Sequence, residues 1–392
     1  MTNIERKFIE FIEKHVLTFL IIIVSIIALV IRINFLNFES SDYVYCLKVW
    51  FDYLKANNGI FGLKSYLGDY NAPYMTILAL LTYIPVKSLY SIKFISILFD
   101  FVLAIVSSKL VKEVTKGKEK FLEILTYIIV LFLPSVIMNS SVWGQCDSIY
   151  AAFTLLSLLF LLKKRYLLSF VMLGISFSFK LQFIFILPLF IVLYFRKKEF
   201  PIFYFLIIPI INFFMCLPAM IVGKPILDCF KIYFNQTQEY KYSLVLNFNN
   251  FYNLMPGNPD MFYNFGILFT LTICIVVLFY CMYKKIEFNN EKILLLGLWF
   301  LIIVTYFLPN IHERYLYVGE ILSIILYIIY KKHLKIALFI NISAVINYSI
   351  YLFGSQNNYM WLLSLVYLIL IVEFTIETFK ILNKKENKLT YN

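Results

Sequence analysis

Long apolar runs alternate with short basic clusters along almost the whole chain, and that alternation predicts membrane-spanning helices. A helix needs roughly 20 predominantly apolar residues to cross a bilayer. Twelve runs come near that length: Leu17–Leu36, Ser91–Val111, Phe121–Met138, Ser148–Leu162, Tyr166–Phe179, Leu181–Phe195, Pro201–Val222, Phe265–Tyr283, Ile293–Leu308, Leu316–Tyr330, Leu334–Phe353 and Met360–Phe379. A further run, Pro73–Pro85, is only as long as segments that lie in the interface or re-enter it.

Charge decides how that short run is treated. If it does not span, every basic cluster falls on one side: Arg6/Lys7, Lys112 to Lys120, Lys163–Lys164–Arg165, Arg196–Lys197–Lys198, Lys284–Lys285, Lys331–Lys332 and Lys384–Lys385. Counting it as a span puts most of those clusters outside, against the positive-inside rule. The expected topology therefore has cytoplasmic termini and a first apolar run kept as an uncleaved span, because no small-residue cleavage site follows it. Two long outer loops result, 37–90 with the short run as a juxtamembrane or re-entrant helix, and 223–264. The fold expected is all-α and polytopic, one transmembrane domain over 1–392.

Composition agrees. Of 392 residues 61% are hydrophobic and only 15% charged, and the mean hydropathy is +0.82. A soluble domain has too little interior for that much apolar surface. The net charge of +12 is explained by basic cytoplasmic loops, so no nucleic-acid partner is expected. The six cysteines have neither metal-ligand spacing nor a disulfide pattern.

The notable polar residues, Asp100 apart, fall at outer span ends or in outer loops, in four groups. The first is E-S-S-D-Y with Asp42, followed by Asp52 and by Asp69 in L-G-D-Y-N. A carboxylate lodged among aromatic segments can act as a base near neutral pH, whereas a solvated loop acid does nothing. The second is S-V-W-G-Q-C-D-S, where Asp147–Ser148 reads equally as a helix N-cap, while Trp143 and Gln145 suit stacking on and hydrogen bonding to a sugar. The third is F-K-L-Q with Lys180 and Gln182, a cation on the side where positive charge is disfavoured or one that snorkels to headgroups. The fourth is P-N-I-H-E-R-Y with His312, Glu313 and Arg314; the guanidinium suits a phosphate, or pairs with Glu313. Asp100, with Lys93 two turns earlier, reads as a buried packing residue or as a transporter acid.

These motifs resemble the GT-C superfamily of multi-span glycosyltransferases, and within it the mannosyltransferase-like proteins related to the second mannosyltransferase of GPI-anchor synthesis. The resemblance rests on Trp143–Ser148 as W-G-Q-x-D-S, on Lys180 with Gln182 as K-x-Q, on His312–Tyr315 as H-E-R-Y, and on Asp42 after the first span. The proline-containing segment Asn71–Pro85 matches the re-entrant element of the first loop, and the likeness covers about 17–330. Ser41–Asp42 stands where many relatives carry Asp-x-Asp or Asp-Glu. No metal is therefore indicated and no cofactor is required. No soluble outer domain is expected after the spans, which disfavours an unfolded-protein acceptor.

The resemblance implies transfer of one hexose, mannose or another, from a polyprenyl-phosphate-linked donor to an acceptor hydroxyl outside the cytoplasm. The acceptor is then a lipid-linked or polymeric glycan. In that reading Asp42 is the general base of an inverting displacement. Arg314, His312, Lys180 and Gln182 hold the donor phosphate. Trp143, Gln145, Asp147, Asp69 and Tyr74 contact sugar or acceptor, and the second outer loop is a lid or acceptor platform. The membrane is the plasma membrane in a bacterium and the endoplasmic reticulum in a eukaryote. A transporter or lipid-linked-sugar flippase is the alternative; it would carry polar groups near the midplane of repeated halves.

Overall fold

The computed structural model describes residues 1–65, 68–239, 243–255, 257–355 and 358–385. Among them helices account for nearly all regular structure. Residues 66–67 of the 37–90 loop and residues 240–242 and 256 of the 223–264 loop lie outside the described residues.

Seven helices are long and apolar enough to cross a membrane. These are α1 (Asn3–Ile33), α4 (Ser88–Val114), α10 (Ile207–Ile221, extended by a 3-10 turn from Ile202), α12 (Pro259–Tyr283), α13 (Asn290–Phe307), α15 (Leu334–Phe353) and α16 (Met360–Asn383). An eighth candidate is α5 (Lys120–Phe132) with α6 (Pro134–Ile137) and the π-helical turn Met138–Trp143, bent by 49°. Pro134 sits at that break, where its ring cannot continue the helix before it. The chain is therefore an all-α membrane protein; by length and composition seven helices, or eight with the bent pair, are able to cross a membrane, and the remaining apolar runs form shorter helices.

Three expected spans are shorter, α7 (Asp147–Leu162), α8 (Tyr166–Phe179) and α14 (Tyr317–Tyr330), and a fourth is divided between a 3-10 turn, Leu181–Ile186, and α9 (Leu187–Lys197). Hydropathy registers only an apolar run, and it is blind to where the hydrogen-bond pattern changes inside one. The run at 73–85 is the ten-residue helix α3 (Ala72–Leu81), started by the Asn71 side chain, which accepts from the Ala72 N–H at 2.8 Å, and by Pro73 in its first turn.

The interior is built around α13, whose side chains from Lys292 to Tyr306 are all buried. Helices α7 and α8 are joined by small polar contacts, Thr154–Ser176 at 2.8 Å and Ser157–Ser169 at 3.0 Å, of the kind that brings membrane helices close. Lys93 does not serve Asp100. Its ammonium donates to the carbonyls of Phe35 at 2.8 Å and Phe38 at 2.6 Å, in the segment that follows α1. The partner of Asp100 is Arg32, Nε to Oδ2 at 2.8 Å.

One short ladder matters for the site. Val245–Leu246 (β1) pairs in parallel with Ile311–His312 (β2), Leu246 opposite His312, and the Asn310 N–H donates to Leu244 at 2.9 Å.

Candidate functional site

Two irregular turns create the centre of the site. Asp42 precedes a π-helical turn, Tyr43–Leu47, which runs into α2 (Lys48–Ala56), and a second such turn ends at Trp143. Gly144 follows at φ 83°, a left-handed conformation that side chains rarely adopt. That reversal lets Trp143 and Gln145 both reach Asp42. The indole Nε1 donates to Asp42 Oδ2 at 2.9 Å and the Gln145 amide donates to the same oxygen at 2.5 Å. The Tyr351 hydroxyl donates to Asp42 Oδ1. Ser40 secures the arrangement from behind by donating to the Trp143 carbonyl at 2.7 Å.

A second layer carries opposite charge. The Lys180 ammonium pairs with Asp147 Oδ1, and Asn139 donates to Asp147 Oδ2 at 2.6 Å. The Lys180 ammonium also lies 5.1 Å from the Tyr70 ring centre, and the Tyr70 hydroxyl donates to Gln145 Oε1 at 2.5 Å. Arg314 lies over Trp143, 5.5 Å from the ring centre. Its Nε is 3.9 Å from both Asp147 and Glu313 and makes no hydrogen bond among the described residues. A buried guanidinium with an unused donor beside a cavity is poised to hold an anion.

Burial, with the Arg314 and Lys180 charges added, pushes His312 down to about 3, so its imidazole is neutral at physiological pH. It serves as a hydrogen-bonding group, and the cationic charge at the site is that of Lys180 and Arg314. Burial pushes Glu313 up to about 7 against the pull of Arg314, and half-burial raises Asp69 above the usual carboxylate range.

The cavity these groups surround has a volume of about 120 Å³. Asp42, Asp69, Gln145, Lys180, Gln182, His312 and Arg314 all line it. Trp143, Asp147 and Tyr74 do not. Trp143 is fully buried with Tyr351 stacked on it, ring centres 4.6 Å apart, while Asp147 and Tyr74 are each 1% exposed. These three stand behind the wall and hold the residues that form it. Asp52 is exposed on α2 and takes no part.

Trp50, Tyr70, Gln236 and Tyr315 also line the cavity, with Cys46, Leu47, Phe179 and Leu181. Gln236 comes from α11 (Ile226–Glu239), within the 223–264 loop, and its side-chain amide donates to the Asp69 carbonyl. Asn71 fastens the first loop to three elements at once. Its amide nitrogen donates to the Ser178 carbonyl of α8 at 3.1 Å, to Asn212 Oδ1 of α10 at 2.9 Å and to the Tyr233 hydroxyl of α11 at 3.3 Å.

A second, mainly apolar groove of about 260 Å³ adjoins the cavity and shares Leu181, Gln182, Gln236 and Tyr315 with it. It runs on past Phe185, Tyr263, Ile267 and Pro309. Among the described residues no three His, Cys, Asp or Glu side chains converge as a metal site. No family model and no curated protein matches the chain.

Proposed function

We propose that this protein is a membrane glycosyltransferase of the GT-C type. It transfers one hexose, mannose or another, from a polyprenyl-phosphate-linked donor to an acceptor hydroxyl at the extracytoplasmic face. The observation that carries this reading is one cavity lined by a carboxylate, Asp42, and by two cations, Lys180 and Arg314, with an apolar groove adjoining it. A lipid phosphate linked to a sugar needs those three features together: a base, a cationic phosphate site and an apolar channel for the chain.

Asp42 takes the proton of the acceptor hydroxyl as that oxygen attacks the anomeric carbon, and one displacement inverts the configuration. The carbon–oxygen bond to phosphate breaks and its electron pair leaves with polyprenyl phosphate. Arg314 and Lys180 receive the departing charge in a water-poor pocket, where fixed cations act more strongly than in bulk water. His312, neutral, adds a hydrogen bond. Trp143 and Gln145 fix the angle of the base, and Asp147 fixes Lys180.

The same reading has twelve crossings counting the short helices, α3 as the re-entrant element, both termini cytoplasmic and the second outer loop as the lid. The transporter alternative gains nothing from the Arg32–Asp100 pair, which is fully buried and lines neither the cavity nor the groove.

The test uses the purified full chain in nanodiscs with polyprenyl-phosphate mannose, glucose and galactose, and a lipid extract as acceptor. Release of polyprenyl phosphate that depends on Asp42 and Arg314 supports transfer. Binding without release, or no binding of any donor, with transport of a lipid-linked sugar into sealed vesicles, would replace it with the flippase.

A further inference from the structure

The Asp42 carboxylate offers about four acceptor positions, and three are taken. Trp143 and Gln145 share Oδ2, and the Tyr351 hydroxyl holds Oδ1. The first two donors are fixed in place, since Trp143 is fully buried behind the wall and Gln145, which lines it, is itself held by Tyr70. Tyr351 is different in kind. It is half-buried, comes from the last turn of α15, and lies outside the stretch that carries the glycosyltransferase motifs.

Its geometry is that of a ligand. The ring lies flat on the Trp143 indole, 4.6 Å between centres and 17° between planes, while its hydroxyl donates to Asp42. A pyranose ring stacked on an indole with one hydroxyl on the base would make the same two contacts. We infer that Tyr351 occupies the acceptor's place in the resting site, its phenol standing for the acceptor hydroxyl on Asp42 Oδ1 and its ring for the acceptor sugar. This rests on the glycosyl-transfer reading of the site. It deepens that reading by naming the acceptor as a ring-borne hydroxyl, that is a glycan, and not the hydroxyl of a simple lipid alcohol.

Two consequences follow from the chemistry. An acceptor that stacks on the Trp143 indole must displace Tyr351 before its oxygen can pass a proton to Asp42 Oδ1 from that face. Until then the Tyr351 hydroxyl takes one of the two positions at which a water could lose a proton to that oxygen, so hydrolysis of the donor is slowed while no acceptor is present. Tyr351 acts through Asp42 and is a positioning residue.

Y351F and Y351L, made in the full chain in nanodiscs, separate the two contacts. Y351F keeps the ring and frees Oδ1. It should raise acceptor-independent cleavage of the donor, read as free sugar formed per polyprenyl phosphate released, by about tenfold, the value of one hydrogen bond of ordinary strength. It should also lower KM for a glycan acceptor with kcat changed less than about twofold. Y351L, which uncovers the indole as well, should lower that KM further.

A fall of kcat in both branches with KM and the hydrolysis ratio unchanged would mean that Tyr351 only supports the fold, and would overturn the inference. A readout independent of turnover is labelling of Asp42 by a water-soluble carbodiimide and an amine, followed by peptide mass. Labelling should rise in Y351F relative to Asp69, and equal labelling overturns the inference. Wild-type protein that cleaves no donor overturns the glycosyl-transfer reading instead.

Discussion

Arg32 and Asp100 meet with neither side chain exposed, Nε to Oδ2 at 2.8 Å. The carboxylate also receives the hydroxyls of Ser140 and Ser148, each at 2.5 Å, and the guanidinium donates to the Leu131 carbonyl at 2.9 Å. Ser140 belongs to the turn that ends at Trp143, and Ser148 follows Asp147. The pair therefore sits directly beneath the residues that hold Asp42 and Lys180, and it fixes them from below.

Removing one member should be costly because the other is left as an uncompensated buried charge. Asp100→Asn or Arg32→Leu alone should destabilise the protein by about 3–5 kcal/mol. The double replacement by leucine should recover much of that loss. Thermal unfolding in nanodiscs checks both, and additive losses in the double variant would contradict the pairing.

Asp42→Asn keeps the size of the side chain and removes the base. Transfer should fall by about 10²–10⁴-fold while affinity for the lipid-linked donor stays within about twofold. Turnover at the wild-type rate, measured as polyprenyl phosphate released, would remove Asp42 from the chemistry.

Arg314→Gln should weaken donor binding by about 10–100-fold, the range for losing a charge-assisted hydrogen bond of about 1.5–3 kcal/mol. The same change should leave affinity for the acceptor alone unaltered. Equilibrium binding of a fluorescent polyprenyl phosphate, with the sugar absent, isolates the phosphate contribution.

Glu313 carries a pH dependence with a definite sign. Its carboxyl is raised to about 7 in the folded protein by burial, against an unfolded value of about 4.3. The folded state therefore binds the proton more tightly. Its contribution to stability is complete below the unfolded value and is lost as pH rises through about 7, at about 1.4 kcal/mol per pH unit between the two. Thermal stability should fall over that interval in the wild type, and Glu313→Gln should flatten the fall.

The sequence reveals the chemistry of the site better than its neighbours. Asp42, Gln145, Lys180, Gln182, His312 and Arg314 are polar residues in an apolar chain, conspicuous because a bilayer makes them costly, and they do surround one cavity. Trp143 and Asp147 were equally conspicuous, yet they lie behind it. Composition tells that a residue must be satisfied and not by what. Tyr351 gave no signal, since tyrosine is common here, 30 in the chain, and it sits inside the run I-N-Y-S-I-Y-L-F. Arg32 is hidden inside the first apolar run, and its partner is 68 positions away, a separation no local pattern reports. The fold class was legible from hydropathy, but the limits of the individual helices were less so, because π-helical and 3-10 turns break apolar runs without altering their composition.

The two-residue ladder between Val245–Leu246 and Ile311–His312 gives the 223–264 loop a mechanical grip on the part of the cavity lined by His312 and Arg314. Backbone hydrogen bonds are short and directional, so a strand this brief slips as a unit or not at all. Any swing of that loop tugs the backbone of His312 and, two residues on, that of Arg314. In the proposed function, opening the cavity and loosening its hold on an anion would be a single movement, so that the same hinge would release the product phosphate and admit the next donor.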